Sequence, residues 1–88
     1  MKIKIGKRYV ARTADARSEL DHIQWVFEIV ASVSRAGETY YVGLMAGGIS
    51  NQTAQLFTEN GETVETEDDL MGYKITGPSR AKAVWDVD

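Results

Sequence analysis

The chain has 88 residues, 43% hydrophobic and 26% charged, with ten Lys or Arg against thirteen Asp or Glu, one His, one Pro and no Cys. That composition describes one small folded domain over 1–88 and excludes a disulfide framework, a thiolate zinc site and a cysteine nucleophile. No apolar run is long enough to span a membrane, and Met1-Lys2-Ile3-Lys4 lacks the apolar stretch of a signal peptide, so a cytoplasmic protein without membrane contact is expected.

Ile3 and Ile5 alternate with Lys2 and Lys4, Gly6 interrupts, and Tyr9-Val10-Ala11 resumes, which predicts an opening strand with a bend. Residues 13–22 lack β character and read as a short helix or a long polar loop. From Ile23 the odd positions Ile23, Trp25, Phe27, Ile29, Ala31 and Val33 are all apolar, while the even positions Gln24, Val26, Glu28, Val30 and Ser32 are mixed. A period of two predicts a long strand with one face in the core, because a helix would scatter those aromatics around its circumference. Ser34 to Glu38 is a turn by composition, and Thr39 to Leu44, carrying Tyr40, Tyr41 and Val42, returns as the second arm of an antiparallel hairpin. Gly47 and Gly48 end it, since residues without side chains neither pack nor resist positive φ.

A further strand is predicted over Thr53 to Thr58, around Leu56 and Phe57, and Asn60-Gly61 then predicts a type I′ hairpin turn. Glu62 to Glu67 would return with Val64 as its one large apolar residue, which predicts an edge strand protected by charge. Asp68 to Gly72 reads as a tight turn or one helical turn capped by Asp68. Tyr73 to Thr76 is a short strand and Gly77-Pro78 the next turn. Ala81, Ala83, Trp85 and Val87 alternate with Lys82, Val84 and Asp86, which predicts a last strand, with a short helix over 79–86 as the alternative. The sum is an all-β domain: a small antiparallel barrel or roll of about six strands, because closure removes edges that so small a sheet has no other means to hide. Its order of elements resembles the SH3-like barrel.

Gly6-Lys7-Arg8-Tyr9 with Arg12, then Tyr41-Val42-Gly43, then Leu56-Phe57-Thr58-Glu59-Asn60-Gly61 closing on Asp69-Leu70, resemble the small uncharacterised β-barrel proteins common in bacteriophage and prophage genomes. The similarity runs over roughly residues 3 to 71 and breaks at the 13–22 insertion and the added 72–88 segment. The resemblance implies an accessory protein of viral origin, working in the host cytoplasm by binding a host protein, with no catalytic residue to carry over.

Charge is divided along the chain. Lys2, Lys4, Lys7, Arg8, Arg12 and Arg17 stand against a single acid, Asp15, in the first seventeen residues, whereas Glu59, Glu62, Glu65, Glu67, Asp68 and Asp69 stand together with no base between them. A field of that shape orients encounters with a charged partner.

The chemistry of catalysis is thin by comparison. His22 is the one imidazole, beside Asp21 and near Ser18, and sequence neighbours rarely form a triad. A lone histidine without cysteine does not make a zinc site, and Glu65, Glu67, Asp68 and Asp69 lack the EF-hand spacing. Carboxylates crowded into 59–69 read as a solvated edge rather than a glycosidase pair. Gly43, Gly47 and Gly48 lack the Lys-Ser/Thr that completes a phosphate loop, and Asn51-Gln52-Thr53 is a chance sequon. No cofactor or metal is expected.

Aromatic surface is in surplus: Trp25, Phe27, Tyr40, Tyr41, Phe57, Tyr73 and Trp85 exceed what a small barrel easily hides, with Tyr41 and Trp85 as candidate external anchors. The sequence therefore points to a non-catalytic binding module for a host protein, using Tyr41, Trp85 and the acidic residues 59 to 69, an edge that can also imitate a nucleic-acid backbone. The alternative is a nucleic-acid-binding barrel in which Lys2, Lys4, Lys7, Arg8, Arg12 and Arg17 meet phosphates, a reading opposed by the net charge of −3. A small-ligand sponge would need an apolar pocket at the barrel mouth or between subunits, and a homodimer stays open.

Overall fold

The computed structural model describes residues 2–13, 25–47, 54–64, 72–83 and 85–86. Among these the chain is all-β, with five strands: β1 (Arg8–Thr13), β2 (Trp25–Arg35), β3 (Glu38–Gly47), β4 (Ala54–Thr58) and β5 (Tyr73–Pro78). They form one antiparallel sheet in the order β4-β3-β2-β1-β5. The sheet is curled into a half-barrel, the antiparallel roll that the alternation predicted. The 14–22 segment and Ile23 lie outside the described residues.

The curl follows from where the large side chains point. Trp25, Phe27 and Ile29 on β2 are buried, as the period of two requires, and they meet Tyr9 and Ala11 from β1, Met45 from β3, Phe57 from β4 and Ile75 from β5. The aromatic rings stack edge to face in a chain: Trp25 on Tyr73 at 5.3 Å, Tyr73 on Phe27 at 5.2 Å, and Phe27 on Phe57 at 5.2 Å. Each such pair is worth about 0.5–1.5 kcal/mol beyond its burial, and both outer strands of the sheet have to bend inward to make them.

Bulges supply the bending. Register shifts lie at Val26/Phe27 and at Ile29/Ala31 between β2 and β3, and at Val10/Ala11 between β1 and β5. The second shift leaves Val30 unpaired, so the predicted inner face of β2 changes sides: Ala31 pairs with Val42 and Val33 with Tyr40, on the outer face. The odd positions are thus core only through Ile29. A uniform two-residue period misses this because one inserted residue inverts everything beyond it.

The turns exchange the geometries expected of them. Arg35 pairs with Glu38, leaving a two-residue loop in which Ala36 (φ 52°) and Gly37 (φ 79°) both have positive φ, the signature of type I′. At Asn60-Gly61 only Gly61 has positive φ, 83°. The amide of Gly61 donates to the Thr58 carbonyl at 3.0 Å and that of Thr58 to the Glu62 carbonyl at 2.8 Å, which makes a three-residue loop with Gly61 in the bulge position.

The residues after that loop correct another expectation. Gly61 to Val64 is no edge. The Val64 amide donates to the Leu56 carbonyl at 2.8 Å on the β4 side, while on the β5 side Glu62 lies opposite Lys74, with Thr63 N donating to Tyr73 O at 3.0 Å and Ile75 N to Gly61 O at 2.8 Å. The segment therefore ties the two outer strands together, and its polarity has a partner, since buried Thr63 accepts at Oγ1 from the Tyr73 amide at 2.8 Å. The opening residues differ as well. Ile3 is buried and Ile5 exposed, the chain turns at Gly6, and only from Arg8 does it join the sheet as a strand. Gly77-Pro78 closes β5 rather than forming a turn, pairing with Val10 and Tyr9. Residues 79–83 and 85–86 are neither strand nor helix, because backbone ties to the sheet end at Ser79, whose amide donates to the Arg8 carbonyl at 2.9 Å.

Two expectations follow. A methyl group on Gly43 would lie 2.8 Å from Phe57 Cε2 and 3.4 Å from Ile29 Cδ1, so Gly43→Ala should lower the unfolding free energy by about 1–3 kcal/mol in denaturant titration. Ala36→Asn should raise it by about 0.5–1 kcal/mol, because Asn tolerates the left-handed conformation that alanine adopts at a cost.

Candidate functional site

Among the described residues the inner face of the sheet is filled by the core cluster, and the outer face carries most of the exposed side chains. Paired residues on adjacent strands share a face, which fixes this surface from the register. Leu44 lies across from Glu28 on one side and Ala54 on the other; Val42 lies between Ala31 and Leu56; Tyr40 lies between Val33 and Thr58. Val30, Leu44 and Leu56 are 39%, 38% and 39% exposed, and Val42, Ala31 and Val33 around them are half-buried. Three large aliphatic side chains are thus gathered on one face, around Val42, instead of being scattered. Sequence reasoning passed over all three: Val30 reads as one of the mixed even positions of β2, and Leu44 and Leu56 read as ordinary strand residues.

The strip ends in acid. Beyond Tyr40 and Thr58, a depression of about 390 Å³ is lined by Glu38, Glu59 and Glu62 together with Thr39 and Asn60. The Tyr40 hydroxyl donates to Glu38 Oε2 at 2.9 Å, and the carboxylate beside it raises the phenol above its ordinary value of 10.0. Glu62 also stands 3.9 Å from the Lys74 ammonium, both well exposed, a pair worth little in water. Of the six acidic candidates, Glu59 and Glu62 are described and exposed; Glu65, Glu67, Asp68 and Asp69 lie outside the described residues.

The two aromatic candidates part company. Tyr41 is half-buried and packs on the core cluster, where it lines a second depression of about 340 Å³ with Lys2, Ile3 and Glu59. Trp85 is 42% exposed. Both depressions are lined mainly by polar and charged side chains, without the apolar wall a small-ligand sponge needs. Gly43 makes room for Phe57 within β3.

Five of the six basic candidates are described. Lys2, Lys4 and Lys7 are exposed in the N-terminal segment, which the Tyr9 hydroxyl anchors by accepting from the Lys4 amide at 2.9 Å. Arg12, at the far end of β1, pairs in register with Lys74 of β5. Arg8 is already engaged: its Nε donates to Glu28 Oε1 at 2.9 Å, and its Nη1 and Nη2 donate to the two Asp86 oxygens at 2.6 Å each. Arg17 lies outside the described residues, as do His22, Asp21 and Ser18. Among the described residues no group of three or more His, Asp or Glu is arranged to hold a metal ion, and no helix is long and apolar enough to cross a membrane.

Compared with known proteins, the chain matches no family model, no curated protein and no solved structure.

Arg8 depresses Asp86 to about 2 from 3.8 through the two hydrogen bonds, helped by the Ala83 amide, which donates to Asp86 Oδ2 at 3.0 Å. A carboxyl lowered in the folded state contributes stability that is complete above its unfolded value, near 3.8, and lost as pH falls through about 2. Carboxyl NMR titration should therefore place the Asp86 midpoint near 2, and an Arg8→Gln chain should return it toward 3.8.

Proposed function

We propose that this protein is a non-catalytic binding module, an accessory protein that docks on a host protein through the outer face of β2, β3 and β4. The observation that carries the reading is the apolar strip of Val30, Leu44 and Leu56 around Val42, on a face that no other described strand covers. A small sheet exposes isolated aliphatic side chains at no consequence, but a contiguous group costs solubility unless something seats on it.

Charge defines the partner further. The strip runs past Tyr40 and Thr58 into Glu38, Glu59 and Glu62, so the complementary surface offers aliphatic or aromatic residues with Lys or Arg beside them. Apolar contact supplies affinity, and the acidic end supplies orientation and encounter rate. The resemblance of 3–71 to phage accessory barrels supports a host protein as the target. The engagement of Arg8 by Glu28 and Asp86 favours this over the nucleic-acid reading, which needs the basic residues free to meet phosphates.

The test is affinity capture from nuclease-treated bacterial lysate with the wild-type chain, with Leu44→Lys/Leu56→Lys and with Glu59→Lys/Glu62→Lys. A stoichiometric protein should be retained by the wild type, fall about tenfold or more with the leucine pair replaced, and fall with added salt through the acidic end. Equal retention by all three chains would refute the docking face, as would a partner that disappears with nuclease. Sedimentation of the purified chain should give a monomer; a dimer abolished by the leucine replacements would instead make the occupant a second copy.

A further inference from the structure

The outer face is divided in two. The β2–β3–β4 half is open, whereas the β1–β2 half carries the chain's own C-terminal segment, described over 79–83 and 85–86. Arg8 and Glu28 are paired in register and project together from that half, and the next outward pair along the same strands is Val10 and Val26, both half-buried. Onto the Arg8 guanidinium come the Ala81 carbonyl, accepting at 3.2 Å, and the Asp86 carboxylate, gripped through both oxygens at 2.6 Å. Asp86 also folds the segment on itself, since its amide donates to the Ala83 carbonyl and its carboxylate accepts from the Ala83 amide, both at 3.0 Å. Ala83 is 5% exposed within this fold, while Trp85 beside it stands in solvent.

We infer that this segment is a releasable strap, latched by the Arg8–Asp86 pair, that sets how much of the outer sheet face is offered to a partner. Among the described residues after Ser79 no strand pairing holds it, and two of its ties to the sheet, from Ala81 and Asp86, end on one guanidinium. A bidentate Arg–carboxylate pair is specific in geometry yet screened by salt where it reaches the surface, which suits a closure that opens without unfolding the barrel. Glu28 keeps the guanidinium in place when the strap leaves, so the latch has a fixed half and a moving half. With the strap raised, Val10 and Val26 extend the apolar strip past Glu28. This extension rests on the docking reading above; the latch does not.

The test uses the full chain without any partner. Trypsin should cut after Arg80 and Lys82 about three- to tenfold faster in Asp86→Asn than in the wild type, because cleavage follows the population of the open strap. Far-UV circular dichroism should be unchanged, the thermal midpoint should fall only by the small share of one surface ion pair, and cutting after Lys74, inside β5, should stay slow. Rising salt should speed the strap cuts in the wild type and leave Asp86→Asn unaffected, and the variant should bind more of the apolar dye ANS. Unchanged strap cleavage in Asp86→Asn would overturn the latch, and so would a large drop in the midpoint with all sites cut together, since the segment would then belong to the barrel. Faster strap cuts without added dye binding would show a tail that covers nothing and overturn the cover. None of these readings depends on a partner, so they fail separately from the capture experiment.

Discussion

The close approach of Phe57 to the backbone of Gly43 governs the rest of the structure. A ring whose Cε2 lies 2.8 Å from the place of a β-carbon fits only where that carbon is missing, so β4 reaches the core across β3 at this one position. From there the contact passes edge to face through Phe27 to Tyr73 and Trp25, joining the β4 side of the sheet to the β5 side through its interior. A flat sheet would leave those rings in water on one face. The bulges at Val30 and between Val10 and Ala11 are the local cost of bending it, and Gly61 to Val64 then bonds to both outer strands.

With nine core side chains from five strands and the N-terminal segment turned inward, no buried polar constellation remains among the described residues that resembles a catalytic centre, and buried Thr63 is fully occupied in joining β4 to β5. The bulge that curls the sheet also turns Ala31 and Val33 outward beside Val42 and Tyr40, so the same irregularity widens the apolar strip outside.

Electrostatics show the same economy. The charge division in the sequence suggests a basic end opposed to an acidic end, but Arg8 spends its charge on Glu28 and Asp86, neither of which belongs to the acidic 59–69 run. Holding a guanidinium between two carboxylates lowers the Asp86 carboxyl and fixes the C-terminal segment over β1 and β2. What reads as a nucleic-acid patch in one dimension is partly a structural clamp in three, and the acids left facing solvent, Glu38, Glu59 and Glu62, cluster at the end of the apolar strip.

The sequence by itself determined the all-β class, the buried Trp25, Phe27 and Ile29, the hairpin at 34–38 and the chain reversal at Asn60-Gly61, because these depend on periodicity and on residues that tolerate particular backbone angles. Only the tertiary structure decided which face Ala31 and Val33 occupy, since a bulge is placed by the register of the partner strand and leaves no mark in the alternation. The same holds for Glu62 to Val64, polar enough to look like an edge yet bonded on both sides, and for 79–83 and 85–86, whose alternation imitates a strand although their described backbone bonds to the sheet stop at Ser79. The candidate site divides along that line: Trp85, Glu59 and Glu62 stood out by residue type, whereas Val30, Leu44 and Leu56 became visible only when pairing set them side by side, since aliphatic residues in strands are core or surface according to what the neighbouring strands leave uncovered.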